Sequence, residues 1–137
     1  MVSGQPTVAT AGFTAAGLLV RACGAGDDLQ AWTVRDLAYD LCQGLASLPD
    51  TPGSVVEAAT LCADLATLAA CNVAALPDRT GAVAATHLAA GTARALAALA
   101  ETGIHAPGDA SAENTLRDAR SADWKADLAV RQIEEAG

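Results

Sequence analysis

The chain has 137 residues and a mass of 13.6 kDa, which is one domain's worth of sequence. Eight basic against sixteen acidic side chains give a net charge of −8 and a pI near 4.4, with 52% hydrophobic and 3% aromatic residues. These figures exclude a disordered chain, which would be poorer in apolar residues. They also exclude a nucleic-acid binder, which would be basic or carry a basic stripe, and an all-β domain, which would be rich in Val, Thr and aromatic runs.

Periodicity and punctuation predict five helical segments. The first runs from about Thr7 to Cys23 and is stopped by Gly24 and Gly26, with Val8, Phe13, Leu19 and Val20 on its apolar side. Gly12 and Gly17 lie inside it. Glycine there costs helix stability, so close approach of a neighbouring helix is the expected return. The second starts at an Asp27–Asp28 cap and ends before Pro49, with Leu29, Trp32, Leu37, Leu41, Leu45 and Leu48 as its apolar stripe. Asp36, Asp40, Gln43 and Ser47 line another side.

The third start carries two signals. Thr51-Pro52 is a cap with proline at the first helical position, and Ser54 to Glu57 matches a capping box. The helix is expected to run to Leu76, with Leu61, Leu65, Leu68, Val73 and Leu76 inside and Glu57, Thr60, Asp64, Thr67 and Cys71 as one polar edge. Asp78 caps the fourth, which ends near Thr102 with Gly103 as its C′ residue. Val83, Leu88, Leu96 and Leu99 are its apolar residues, and Thr80, His87, Gly91, Arg94 and Glu101 share another face. A loop with Pro107 and Gly108 follows. The fifth segment, about Ser111 to Ala136, holds Arg117, Arg120, Lys125 and Arg131, half of the basic residues, and Ser121 could break it in two.

Short connections imply antiparallel neighbours. The expected fold is all-α: an antiparallel four-helix bundle of two αα-hairpins over residues 1–110, plus a C-terminal helical segment, 111–137, packed on the bundle or on a partner subunit. Asp28 to Leu48 and Asp78 to Leu99 match in length and capping, which suggests a duplication with a period near fifty residues. About a quarter of the chain is alanine. Alanine lets helices approach closely but buries little area, at about 25 cal/mol per Å². Pairing two copies would add burial, so a homo-oligomer, most simply a C2 dimer, is expected.

Cys23, Cys42, Cys62 and Cys71 form no C-x-x-C motif. Cys62 and Cys71 lie about half a turn out of phase and are not placed to share a metal. They read as small hydrophobes in a reducing cytosol, with an inter-helix disulfide as the alternative. Residues 8–23 resemble a signal or lipoprotein segment, but no basic n-region precedes them and Arg21 stands two before Cys23. No apolar run reaches the ~18–20 residues of a membrane span without polar interruption. The expectation is a cytoplasmic protein without nucleic-acid or membrane partners, and without metal or cofactor.

The chemistry-bearing residues are few. His87 sits mid-helix, with Gly91 one turn on leaving space beside the imidazole, in His87-Leu-Ala-Ala-Gly91-Thr-Ala-Arg94. This resembles the phosphorylatable helix of histidine phosphotransfer domains, which are acidic helical bundles. Ala90 stands where that family has a lysine, and Arg94 is the substitute cation. Asp36/Asp40 and Glu57/Asp64 each share a helix side, but no Glu lies three before His87 or His105, so the di-iron pattern is absent. Arg35 and Tyr39, one turn apart, could bind an anion. Thr51-Pro52-Gly53-Ser54 and the Ala-rich helix after it resemble the Pro-Gly-Gly-Gly-Ser opening of folate cyclodeaminase and cyclohydrolase domains, which are dimeric bundles. That resemblance implies a folate-like ligand near this loop, although only Gly53 is present. No nucleophile elbow, P-loop or dinucleotide fingerprint occurs.

The leading expectation is a non-catalytic module acting by protein–protein association, with itself and with a protein partner. The alternative is a small-ligand binder or enzyme with a site between helices, using Trp32, Tyr39, Asp64, His87 and Arg94, with His87 and Asp64 as its catalytic candidates. The third reading is a phosphotransfer relay through His87.

Overall fold

A computed structural model describes residues 5–25, 28–49, 51, 53–103 and 110–136, with side chains from Thr10 onward. The expectations on the Val8 side chain, Gly26, Asp27, Pro52 and residues 104–109, with His105, Pro107 and Gly108, lie outside the described residues. The described chain is helical and contains no strand. Its five helices are α1 (Gln5–Ala22), α2 (Leu29–Ala46), α3 (Ser54–Asn72), α4 (Arg79–Thr102) and α5 (Ala110–Ala136), with a single 3-10 turn at Val73–Ala75.

Local chemistry accounts for most of the boundaries. Asp28 caps α2 by accepting from the Gln30 amide at 3.4 Å, and Asp78 caps α4 by accepting from the Gly81 amide at 2.9 Å. α1 ends where Gly24 enters the left-handed region, at φ +69. The Gly24 amide donates to the Arg21 carbonyl, and its own carbonyl accepts from Arg35 Nη1 at 2.7 Å. Three expectations change. The Ser54–Glu57 capping box does not form: Gly53 holds the cap position, and the Ser54 and Thr51 hydroxyls bond each other at 3.0 Å. Gly103 closes α4 at φ −81, so no left-handed cap is used there. α5 does not break at Ser121, because Ala119, Ala122, Ala126 and Ala129 form one buried row across that point. α4 is also longer than α2, 24 residues against 18, which departs from the expected repeat.

α3 and α4 form the centre. α4 packs against α1, α3 and α5, and α3 packs against α4, α5 and, more lightly, α2. α2 rests only lightly on α1 and α3, whereas α5 lies across both α3 and α4 of its own chain. α3 with its 3-10 extension (Ser54–Ala75) and α4 (Arg79–Thr102) are each long and apolar enough to cross a membrane. Reading polar interruptions in the sequence did not predict this. Here they are the core helices, about half buried inside the protein.

The core is built mainly of alanine. Ala59, Ala63, Ala66 and Ala69 of α3 and Ala82, Ala85, Ala89 and Ala93 of α4 are all at 0% exposure, and α3 and α4 pack closely on each other. Leu19, Leu65 and Leu96 are the largest fully buried side chains. Half of the expected stripe of α2, Leu29, Trp32 and Leu37, is exposed, whereas Leu45 is buried, Leu41 and Leu48 pack partly against the core, and Ala31, Val34 and Ala38 complete the buried face. A larger side chain at Ala31 or Ala38 would overpack that contact, at a cost of about 1–3 kcal/mol. Phe13 on α1 is likewise at the surface. Buried hydroxyls are satisfied within their own helices: Thr86 donates to the Ala82 carbonyl at 2.9 Å and Thr92 to that of Leu88 at 2.7 Å.

The two glycines inside α1 have different surroundings. A Cβ on Gly12 would meet Cys62 Sγ at 3.0 Å and Leu45 Cδ1 at 3.3 Å, so here neighbouring helices do approach closely. A Cβ on Gly17 would meet nothing within 4 Å. Gly17→Ala is therefore expected to stabilise the protein by about 1 kcal/mol through helix propensity. Gly12→Ala should gain less or lose, and urea denaturation of the two variants side by side checks the difference. Gly24→Ala should destabilise by about 1–2 kcal/mol, because a side chain disfavours the left-handed conformation.

Candidate functional site

One concavity lies between α2 and α3. It holds about 470 Å³ and is open to solvent. Leu37, Asp40 and Leu41 line it from α2, and Asp64, Leu68 and Cys71 from α3. The helical repeat accounts for this set. Leu37 and Leu41 are one turn apart and fall on the α3-facing side of α2, beside the alanine row. Asp64, Leu68 and Cys71 recur on the side of α3 that α2 and α5 leave uncovered. The surface is wettable only at its edges: the walls are leucine and the carboxylates stand at the rim. Gln30 Nε2 donates to Asn72 Oδ1 at 3.0 Å and ties the two walls together at one end.

Two smaller and less open depressions flank α5. One, about 220 Å³ between α3 and α5, shares Asp64 and Thr67 with the groove and adds Lys125 and Leu128. Asp64 faces Lys125 across it at 3.8 Å, with both side chains 44% exposed. An ion pair so exposed contributes little stability. The other, about 170 Å³, lies between α4 and α5, where Arg94 meets Asp123 at 3.1 Å and Arg120 meets Glu101 at 3.7 Å.

The sequence candidates are dispersed over these features. Asp64 lines the groove and Arg94 lines the α4–α5 depression. Trp32 and Tyr39, seven residues apart, share the outer side of α2, each 53% exposed, and line none of these depressions. His87 is exposed on α4, and a Cβ on Gly91 would meet nothing within 4 Å, so the open space beside the imidazole is present. Arg94, the cation expected to serve a phosphoryl group there, is already held by Asp123. Arg35 spends its guanidinium on the Gly24 carbonyl rather than standing beside Tyr39 as an anion site. In the loop that resembles a folate-binding turn, Ser54 is buried and bonded to Thr51. Among the described residues no three His, Cys, Asp or Glu side chains converge on a metal position. Leu37, Leu41 and Leu68 were read from sequence as core, and only their half-exposed setting makes them walls of a groove.

All four thiols are free. Cys62 is wholly buried against α1, and desolvation pushes its thiol up to about 12. Burial also raises Cys23, opposed by the charge of Arg35. Cys71 is exposed, and its sulfur lies 3.8 Å from the side-chain amide of Gln132 on α5.

Comparison with protein-family models, with curated proteins and with solved structures finds no match to this chain.

The Cys62 thiol makes stability pH-dependent. Its folded value is near 12 against 9.0 for the free thiol, so its contribution is intact below pH 9 and is lost as the pH rises toward 12. Denaturation midpoints measured from neutral to strongly alkaline pH should fall above that threshold. The fall should be shallower in Cys62→Ala.

Proposed function

We propose that this protein is a small cytoplasmic helical module that acts by protein–protein association rather than catalysis, and that it forms a homodimer. One observation carries the reading. Alanine fills the core while Leu29, Trp32 and Tyr39 of α2 face solvent. Aromatic side chains exposed together on one helix are the residue types that anchor interfaces. α2 is also the helix least embraced by the rest of the chain, so a second copy laid against its outer side would complete its burial. The two copies would then meet through the same patch, as a two-fold axis requires.

Connections of a few residues favour an antiparallel arrangement of α1 with α2 and of α3 with α4, as two hairpins. α5 would then close the side of the bundle away from α2. The free thiols support a reducing compartment, and the net charge of −8 disfavours nucleic acid and anionic membrane surfaces as partners. The volume of the α2–α3 groove, about 470 Å³, favours one second reading, a small apolar ligand between the helices.

Native mass spectrometry and light scattering over a dilution series separate these readings. The expected result is a dimer without added mass that dissociates on dilution. Trp32→Ala combined with Tyr39→Ala should raise the dissociation constant about thirtyfold or more, the loss of at least one hot-spot anchor, with helicity unchanged. A monomer at all concentrations overturns the dimer, and a retained mass lost on denaturation moves the function to a ligand.

A further inference from the structure

We propose that the groove between α2 and α3 receives one helical segment of a partner protein, an amphipathic helix with leucine-type anchors on one face and Lys or Arg along its flanks. This rests on the association reading above. It adds to that reading a second surface, distinct from the Trp32–Tyr39 side of α2, and the chemistry of its occupant.

Shape is the first argument. The groove follows α3 from Asp64 to Cys71, about two helical turns or ~12 Å. That length matches anchors at i, i+4 and i+7 on an incoming helix, the spacing by which helices seat in apolar grooves. It is open along this length rather than enclosed, which suits a segment of chain better than a small molecule that must be mostly buried.

Charge chooses the occupant. On the α4–α5 side four cations are paired, Arg94 with Asp123, Arg120 with Glu101, Arg117 with Asp118 and Arg131 with Asp127, and Arg79 at the start of α4 is the exception among the described residues. On the α2–α3 side the carboxylates are in excess. Asp36, Asp40 and Glu57 have no ion-pair partner among the described residues, and Asp64 shares Lys125 at 3.8 Å. Arg35, the one cation on α2, is committed to the Gly24 carbonyl. Leucine walls under a negative rim attract a basic amphipathic helix and repel an acidic one. They also disfavour the same acidic face of a second copy.

Cys71 gives the test its local probe, because it lines the groove and is exposed, whereas Cys42 lies outside it. The probe ligand is a synthetic helix of about 18 residues with a leucine face and lysine flanks, compared with the same peptide carrying glutamate for lysine. Fluorescence anisotropy gives binding, and mass-resolved alkylation by iodoacetamide gives the rate at each cysteine. The expected result is one Leu/Lys peptide per chain, weakened about tenfold or more by high salt. Alkylation should slow at least about tenfold at Cys71, as a nearly saturated groove requires, and stay unchanged at Cys42. Leu37→Ser and Asp40→Asn should each weaken binding, and Trp124→Ala, at an exposed position of α5 that does not line the groove, should leave it unchanged. Four results overturn the proposal: no Leu/Lys binding, equal binding of the Leu/Glu peptide, binding that leaves Cys71 reactive, or Cys71 protection that grows with protein concentration alone. The last result seats a second copy in the groove. If the peptide fails while the dimer persists, this proposal falls and the association reading stands.

Discussion

The packing of α3 and α4, two helices whose buried residues are mostly alanine, is the constraint on which the rest depends. Methyl groups on both sides let two helix backbones sit near the low end of the ~8–10 Å range. The contact then draws its strength from many small, well-packed surfaces rather than from a few large ones. Among the described residues Leu19, Leu65 and Leu96 are the largest side chains that are wholly buried. α1 joins under the same condition, with Gly12 set against Cys62 and Leu45. α5 joins through its own alanine row at 119, 122, 126 and 129.

That constraint sends the large apolar residues outward. A helix that meets its neighbours with Ala31, Val34 and Ala38 carries its indole, phenol and leucines on the other sides. α2 is accordingly held by polar ties at its margins, Arg35 to the Gly24 carbonyl and Gln30 to Asn72, as much as by apolar contact. The groove beside it exists because α2 and α3 touch lightly, leaving Leu37, Leu41 and Leu68 half covered. The charge pattern follows the same division. α5 carries half of the chain's cations: Arg120 turns to Glu101 of α4, Lys125 to Asp64 of α3, and Arg117 and Arg131 to carboxylates of α5 itself, while Asp36 and Asp40 of α2 and Glu57 of α3 keep no ion-pair partner among the described residues.

Helix starts were legible where a side chain could make them. Asp28 and Asp78 cap as their positions in sequence imply, and Gly24 stops α1 because it alone takes a positive φ there. The polar edge of α3 was also legible, since Glu57, Thr60, Asp64, Thr67 and Cys71 all reach solvent at least in part. The inner face of α2 was not. Leucine and tryptophan carry more apolar area than alanine, so periodicity alone points to their stripe as the core. The site was split in the same way: Asp64 was singled out as a polar residue, while the leucines that complete its groove were assigned to the interior.

The sequence by itself determined that the chain is helical, roughly where its helices begin and end, and that it is acidic. Those properties depend on neighbours within a turn or two, through capping, glycine and proline geometry and periodicity. Tertiary structure decided which face of each helix is buried, that Ser121 does not interrupt α5, and which carboxylates remain without a cation. Those outcomes depend on the volume available between helices and on pairs such as Arg94–Asp123 that are distant in sequence. In this alanine-rich chain side-chain size weighs against hydropathy in selecting the buried face, because closely packed helices accept alanine at most positions and a leucine at only a few.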